Sequence, residues 1–302
     1  MSRQKFGESG LWARYSATRV TPESSLDLAG FKSGSVNFKL ALWDPAANGV
    51  RYLKSLIYHM GMSLSEDNMA RLGRIKHREL GDPIAIRCRG ELMCIDYLLA
   101  VHELDFLSPH VPLDGARVLE IGAGFGRSCH AMMSNHDIAS YTIVDLDNTL
   151  ALSRSYLSKV LTHDQLDRVR FVTLDEVEAL FATAEFDLCV NIDSFAEMTE
   201  ETVYSYLSAI DTTGAWFYCV QPVAKYLDPT LDNHSQGAEL VDLALSTGLL
   251  RDVIDISDLE QISAQVPKLL EAYRPSTGWE PVDHTHHPAY PHYYQALYRK
   301  AG

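Results

Sequence analysis

The sequence predicts an α/β fold, a doubly wound and mostly parallel sheet of seven strands with an N-terminal helical extension. Two observations carry this expectation. From Ala116 onward, short apolar runs of strand length alternate with stretches of helical period, which is how a parallel sheet covered on both faces is written. The first of those runs, "ARVLEIG", passes straight into Gly122, Gly124 and Gly126 and then into a helical stretch. A turn of that kind presents backbone N–H groups to a nucleotide-like ligand.

The elements follow in order. Residues 1–45 show no period, broken by "ESG", "KSGS" and "WDPAANG", and read as an irregular arm. Apolar spacing over 50–64 predicts a helix, and a second helix is predicted over 91–107, "ELMCIDYLLAVHELDFL", ending at "SPHVPLDG". The expected boundaries are an arm and helical lid over 1–110 and a catalytic domain over 111–302. Strands are predicted at 116–122, 140–146, 168–174, 186–192 and 215–220, with helices between them. Thr199 is placed as the cap of the helix after the fourth strand. In the tail, "LVDLALSTGLL" reads as helix, and "RDVIDI" and "YYQALYR" read as the last two strands.

Composition narrows the function classes. The 26 basic and 40 acidic side chains give a net charge of −14, which repels phosphate backbones and anionic lipid. Nucleic acid and membrane are therefore poor partners, none of either is expected, and a small-molecule enzyme is favoured. The five cysteines are scattered and lack CxxC spacing, as reduced core thiols are. The N-terminal residues lack the apolar core of a secretion signal, and no run approaches the roughly 18 apolar residues of a membrane span. The expectation is a cytoplasmic protein, with a homodimer compatible.

The glycine turn discriminates between cofactors. A dinucleotide fingerprint wants glycine or alanine in its last position, and here Arg127 stands there. An acidic-x-G-x-G-x-G turn is instead satisfied throughout by Glu120, Gly122, Gly124 and Gly126, the pattern of S-adenosylmethionine-dependent methyltransferases. An acid near the turn suits the positive charges of that cofactor. Asp145 ends the second strand with Leu146 after it, where a carboxylate can accept from both ribose hydroxyls. Asp175, after the third strand, is placed to accept from the adenine amino group, or else simply to cap a helix.

Three segments together resemble the sugar O-methyltransferases of polysaccharide and deoxysugar-antibiotic pathways. They are "RELGDPIAIRCRGELMCIDYLLAVHEL", "VLEIGAGFGRSCH" with "YTIVDLDNTLALSRSYL", and "CVNIDSFAEMTEETVYSYL", within about residues 78–220. Where that family often has proline after the strand-two Asp-Leu pair, this chain has Asp147. The resemblance implies a class I methyltransferase fold, S-adenosylmethionine as cofactor, and a sugar or sugar-bearing metabolite as the acceptor partner.

Ligands of open parallel sheets lie beyond the carboxyl ends of the strands. The polar residues after the fourth strand therefore face the chemistry: Asn191 toward the cofactor, Asp193 as base, Ser194 toward the acceptor. Glu197 either fixes this loop through backbone N–H groups or takes a direct part. His287, in the histidine-rich tail "DHTHHPAYPHYY", is a second base candidate, His234 a rival to it, and Tyr97 a residue of the acceptor pocket. The H-x-H-H spacing does not make a zinc site, and imidazoles are poor magnesium ligands, so no metal is expected. Competing readings are N- or carboxyl-methylation of another metabolite, a nicotinamide-dependent oxidoreductase, and a cofactor-binding subunit without catalysis.

Overall fold

The computed structural model describes residues 9–18, 20–21, 45–226 and 238–301. The chain divides into two compact units, residues 1–59 and 60–302. The first holds helix α1 (Gly10–Thr18) and most of helix α2 (Pro45–Ser63), which leaves helical geometry at Asn48.

The second unit opens with α3 (Glu66–Arg74), capped by the Ser65 side chain, which accepts from the Asn68 N–H at 3.1 Å. A hairpin of β1 (Ala85–Cys88) and β2 (Glu91–Cys94) follows, closed by Arg89 and Gly90 at φ 51° and 86°. Two successive positive φ values are what a two-residue hairpin turn of type I′ requires. The hairpin corrects the helix predicted from Glu91, because residues 91–94 pair with β1. Helix α4 (Ile95–Leu107) begins only after them.

Strands and helices then alternate: β3 (Arg117–Ile121), α5 (Arg127–Asn135), β4 (Ser140–Val144), α6 (Asp147–Val160), α7 (His163–Leu166) and β5 (Val169–Val172). A 3-10 turn (Leu174–Glu176) leads into α8 (Val177–Phe181), then β6 (Phe186–Ile192) and a second 3-10 turn (Ser194–Glu197). The chain ends with α9 (Glu200–Thr213), β7 (Gly214–Pro222), α10 (Ala238–Ser246), α11 (Leu259–Ala272), β8 (Trp279–His286) and β9 (Tyr293–Lys300). Thr199 caps α9 as expected, accepting from the Thr202 N–H at 3.3 Å.

The seven sheet strands run in the order β5-β4-β3-β6-β7-β9-β8, with β9 antiparallel to both its neighbours. That is the strand order of the class I methyltransferase fold. The order reverses between β3 and β6, so the carboxyl ends of these two strands frame the crevice where open sheets bind ligands. One expected strand is corrected. "RDVIDI" contributes a single bridge, Val253 to Lys225, and the remaining sheet strand is Trp279–His286. The latter is an edge strand with only Trp279 buried and Pro281 within it, so it lacks the apolar run that marks a central strand.

Alternation along the strands sorts side chains onto two faces. Leu119, Ile121, Cys189, Phe217 and Cys219 enter the core shared with α9 and α11. The opposite face carries Glu120, Tyr141 and Tyr218 and is covered by α4, whose Phe106 ring lies 5.8 Å from that of Tyr218.

Candidate active site

The turn after β3 is built from three left-handed glycines, Gly122, Gly124 and Gly126, at φ 74°, 58° and 93°. Side chains rarely adopt such values, so the turn needs glycine on conformational grounds alone. Their surroundings differ. A Cβ at Gly122 would run into Ser194, and one at Gly126 would meet Leu157 at 2.9 Å. A Cβ at Gly124 would find nothing within 4 Å. The middle glycine therefore faces open space while its neighbours are packed into the protein.

Asp145, at the end of β4, borders that space. Its Oδ2 accepts from the Gly124 N–H at 3.0 Å and its Oδ1 from the Leu146 N–H at 2.8 Å. A carboxylate has about four lone-pair positions, so two remain for a ligand. Beside it opens a cavity of about 520 Å³ lined by Leu146, Asp147, Asn148, Thr173, Leu174 and Asp175. Leu146 and Leu174 are 60% and 50% exposed, which gives this cavity apolar walls against an exposed carboxylate at Asp175.

Glu120 stands apart from that surface. It is 2% exposed, its Oε2 accepts from the Tyr141 hydroxyl at 2.8 Å, and burial pushes its carboxyl up to about 7. Bonds from Tyr141 and Ser128 and the nearby Arg127 oppose that shift without cancelling it.

The loop after β6 is pinned from below. Asn191, fully buried, donates to the Ile121 carbonyl at 2.9 Å and to Ser194 Oγ at 2.7 Å, and its Oδ1 accepts from Phe195 N–H at 3.3 Å and Gln221 Nε2 at 2.5 Å. Its amide is saturated by the protein, so Asn191 positions the loop. Ser194 likewise donates to the Ile121 carbonyl, at 3.1 Å. Gln221 Oε1 takes the Ala196 N–H at 3.1 Å, a task for which the sequence offered Glu197. Glu197 is exposed instead and lines a cavity.

That cavity, of about 600 Å³, gathers Asp193, Glu197, Lys225, Tyr226 and Tyr293 at the carboxyl ends of β6 and β7. Asp193 sits at φ 69°, rare for a residue with a side chain, and its Oδ1 accepts from the Tyr293 hydroxyl at 2.8 Å. Among the described residues no partner takes its second oxygen. Burial raises the Asp193 carboxyl, while the Tyr293 bond and the charges of Lys225 and His287 pull the other way. Burial and the charge of Asp193 raise Glu197. Lys225 is 8% exposed, donates to the Ala196 carbonyl at 3.0 Å, and is lowered by burial.

His287 lies in the connection between β8 and β9, at the same edge of the sheet. Its Nε2 meets Glu103 Oε1 at 3.1 Å, and that oxygen also accepts from Arg127 at 2.8 Å. His287 and Glu103 side chains are each 4% exposed, and His287 Nδ1 is buried with no partner among the described residues. Burial would raise the Glu103 carboxyl, but Arg127 and His287 overcome it and hold it down at about 2. Arg127 is thus the cation of a buried pair with α4.

Tyr97 is 2% exposed and bonds His130 Nδ1 at 2.7 Å and the Tyr156 hydroxyl, in the interior between α4, α5 and α6. His234 lies outside the described residues. Sequence reasoning missed Glu103, Tyr293 and Lys225. The signal for Glu103 was available: an acid within the apolar helical run "LLAVHELDFL" needs a buried partner. Among the described residues no group of three or more side chains is placed to hold a metal, and no helix is long and apolar enough to cross a membrane.

No family model and no curated protein matches the chain. Among solved structures, the mitomycin 7-O-methyltransferase MmcR is 17% identical at TM-score 0.42, covering 68% of this chain and 56% of its own. Magnesium protoporphyrin IX methyltransferase (ChlM) from Synechocystis PCC 6803, with bound SAH, is 14% identical at TM-score 0.45, covering 67% of this chain and 82% of its own. The pyocyanin biosynthetic protein PhzM is 15% identical at TM-score 0.42, over 96% of this chain and 83% of its own. The fold assignment rests on the strand order itself.

Proposed function

We propose that the chain is an S-adenosylmethionine-dependent methyltransferase that methylates a hydroxyl of a small metabolite, a sugar or sugar-bearing one. The observation that carries the reading is the open space over Gly124, bordered by a strand-end carboxylate with acceptor capacity left. A dinucleotide turn would not keep Arg127 in its last position, where it is committed to Glu103. The residues fit the cofactor. The glycine turn would hold its methionine end, Asp145 its ribose, and the cavity with Leu146 and Asp175 its adenine. When bound, S-adenosylmethionine supplies an electrophilic methyl on a sulfonium.

The protein's own part is to orient the acceptor and take its proton. Asp193 is suited to both. It lines the acceptor-side cavity, Tyr293 fixes its orientation, and its second oxygen is left to receive the hydroxyl hydrogen. Burial makes it more basic than an exposed aspartate. Tyr226 and Tyr293 offer rings that suit the faces of a sugar, and the sugar class itself rests on the sequence resemblance. His287, oriented by Glu103, is the second candidate for the base.

Calorimetric titration with S-adenosylhomocysteine, with NAD(H) and NADP(H) in parallel, tests the cofactor. Micromolar binding of the first and silence from the others is expected. Dinucleotide binding would turn the reading to hydride transfer. Incubation with labelled S-adenosylmethionine and a panel of sugars, amines and carboxylates then tests the acceptor.

A further inference from the structure

In a chain of net charge −14, residues 71–91 run against the average, with six Lys/Arg and three Asp/Glu. A cavity of about 440 Å³ opens in this segment, lined by Lys76, His77, Arg78 and Arg87 together with Glu79 and Glu91. Its residues are distinct from those assigned above to cofactor and acceptor.

The cations of this cavity are unequally committed. Arg78 is 6% exposed, pairs with Glu91 at 2.5 Å and donates to the Leu72 carbonyl, so it serves the fold. Lys76 is exposed and bonds a carbonyl, that of Gly73, and has no ion-pair partner among the described residues. Arg87, exposed on β1, has no hydrogen-bond or ion-pair partner among the described residues. The hairpin that carries Arg87 is anchored, because Arg89 donates to the Leu64 carbonyl at 2.8 Å and pairs with Glu66. Two uncommitted cations therefore face one cavity from a fixed frame.

We propose that this cavity binds a small phosphate ester, with Lys76 and Arg87 on the phosphate and Glu79 on a hydroxyl of the esterified group. A guanidinium fork and a lysine point charge suit a dianionic phosphate. The cavity is larger than inorganic phosphate and falls at the small end of ligand pockets, about 300–1,000 Å³. A polyanion is disfavoured, since the acidic remainder of the surface repels a long phosphate chain, whereas a small ligand meets the local field within a Debye length of about 8 Å.

The test is calorimetric titration of the full chain with glucose 1-phosphate, inorganic phosphate and glucose. It is repeated in Arg87→Glu and Lys76→Glu, whose thermal melting checks that they fold. Saturable binding of the ester, tighter than inorganic phosphate, is expected, with no heat from glucose and affinity reduced at least about ten-fold in each variant. Silence from both phosphate probes would overturn the proposal, as would binding that survives both charge reversals. Inorganic phosphate binding as tightly as the ester would overturn the hydroxyl contact. The outcome is separable from the methyltransferase reading, which is tested by a different ligand.

Discussion

The Gly124 N–H donates to Asp145 Oδ2 at 3.0 Å, so the middle of the turn after β3 and the end of β4 are fixed to each other. One βα unit separates them in the chain, and the parallel pairing of β3 with β4 brings their carboxyl ends side by side. The bond orients the carboxylate toward the space that Gly124 leaves open. Asp145→Ala should therefore weaken S-adenosylhomocysteine binding by about 1–3 kcal/mol, through lost hydrogen bonds to a charged group. Calorimetry decides it, and a change of only a few tenths would place the ribose contact elsewhere.

Gly124→Val probes the open space directly. Apart from its chain neighbours, no described atom lies within 4 Å of a Cβ added there, so the first added carbon meets backbone strain at φ 58° without a tertiary clash. It should fold with a modest loss of stability, on the order of 1–2 kcal/mol, and lose cofactor binding. Retained affinity in the folded variant would show that the ligand does not approach the turn there.

The pairing of Asp193 with Tyr293 gives a pH-rate prediction. A base must be ionised to work, so the rate should rise with pH through the Asp193 titration. The Tyr293 hydroxyl lowers that carboxyl against the raising effect of burial. Tyr293→Phe should thus move the rising limb of kcat to higher pH, with S-adenosylhomocysteine affinity unchanged, and Asp193→Asn should remove most of kcat. A limb that stays in place in Tyr293→Phe would shift the base role to His287.

The parts of the fold that were legible share one cause. Strands β3, β4, β6 and β7 are central and buried, so each is a short apolar run set between helices. Residues Glu91–Cys94 were read as helix because they lead without a break into the apolar run of α4, and only their pairing with β1 separates the two. Strand β8 was missed because seven of its eight residues are not buried, so no apolar run marks it. "RDVIDI" misled in the opposite way, with an alternation that finds one bridging partner. The juxtaposition of Asp145 and Gly124 was legible because one lies in the turn after a strand and the other at the end of the next, and the structure joins them by a hydrogen bond. Glu103 and Tyr293 act across 184 and 100 residues, on His287 and Asp193, and no local pattern encodes such distances.

Glu103 anchors the buried ion cluster. Glu103→Ala would leave the Arg127 guanidinium buried without its partner, a loss of about 3–5 kcal/mol in chemical denaturation. The pH dependence has a definite sign. Its folded carboxyl is held at about 2, below the ordinary 4.5, so its stabilisation is full above pH 4.5 and is lost as pH falls toward 2. Glu103→Gln should flatten that part of the acid unfolding curve, and an unchanged curve would mean the carboxylate is not held down.

Glu120 should behave in the opposite sense. Its folded carboxyl is raised to about 7, so the folded state favours the protonated form, and ionisation costs stability as pH rises from 4.5 through 7. Glu120→Gln keeps a hydrogen-bond acceptor for Tyr141 and removes the charge. The stability of the native chain relative to this variant should fall between pH 4.5 and 7, by on the order of 3 kcal/mol at most, and level off above that range. Paired denaturation curves at pH 5 and pH 8 measure the difference. A gap that does not change with pH would show that Glu120 is already ionised at pH 5, held so by Arg127. The carboxylate under the turn would then already present its charge across the whole range. A gap that closes on acidification places a proton beneath the glycine turn near neutral pH, and cofactor affinity should then vary with pH over the same range.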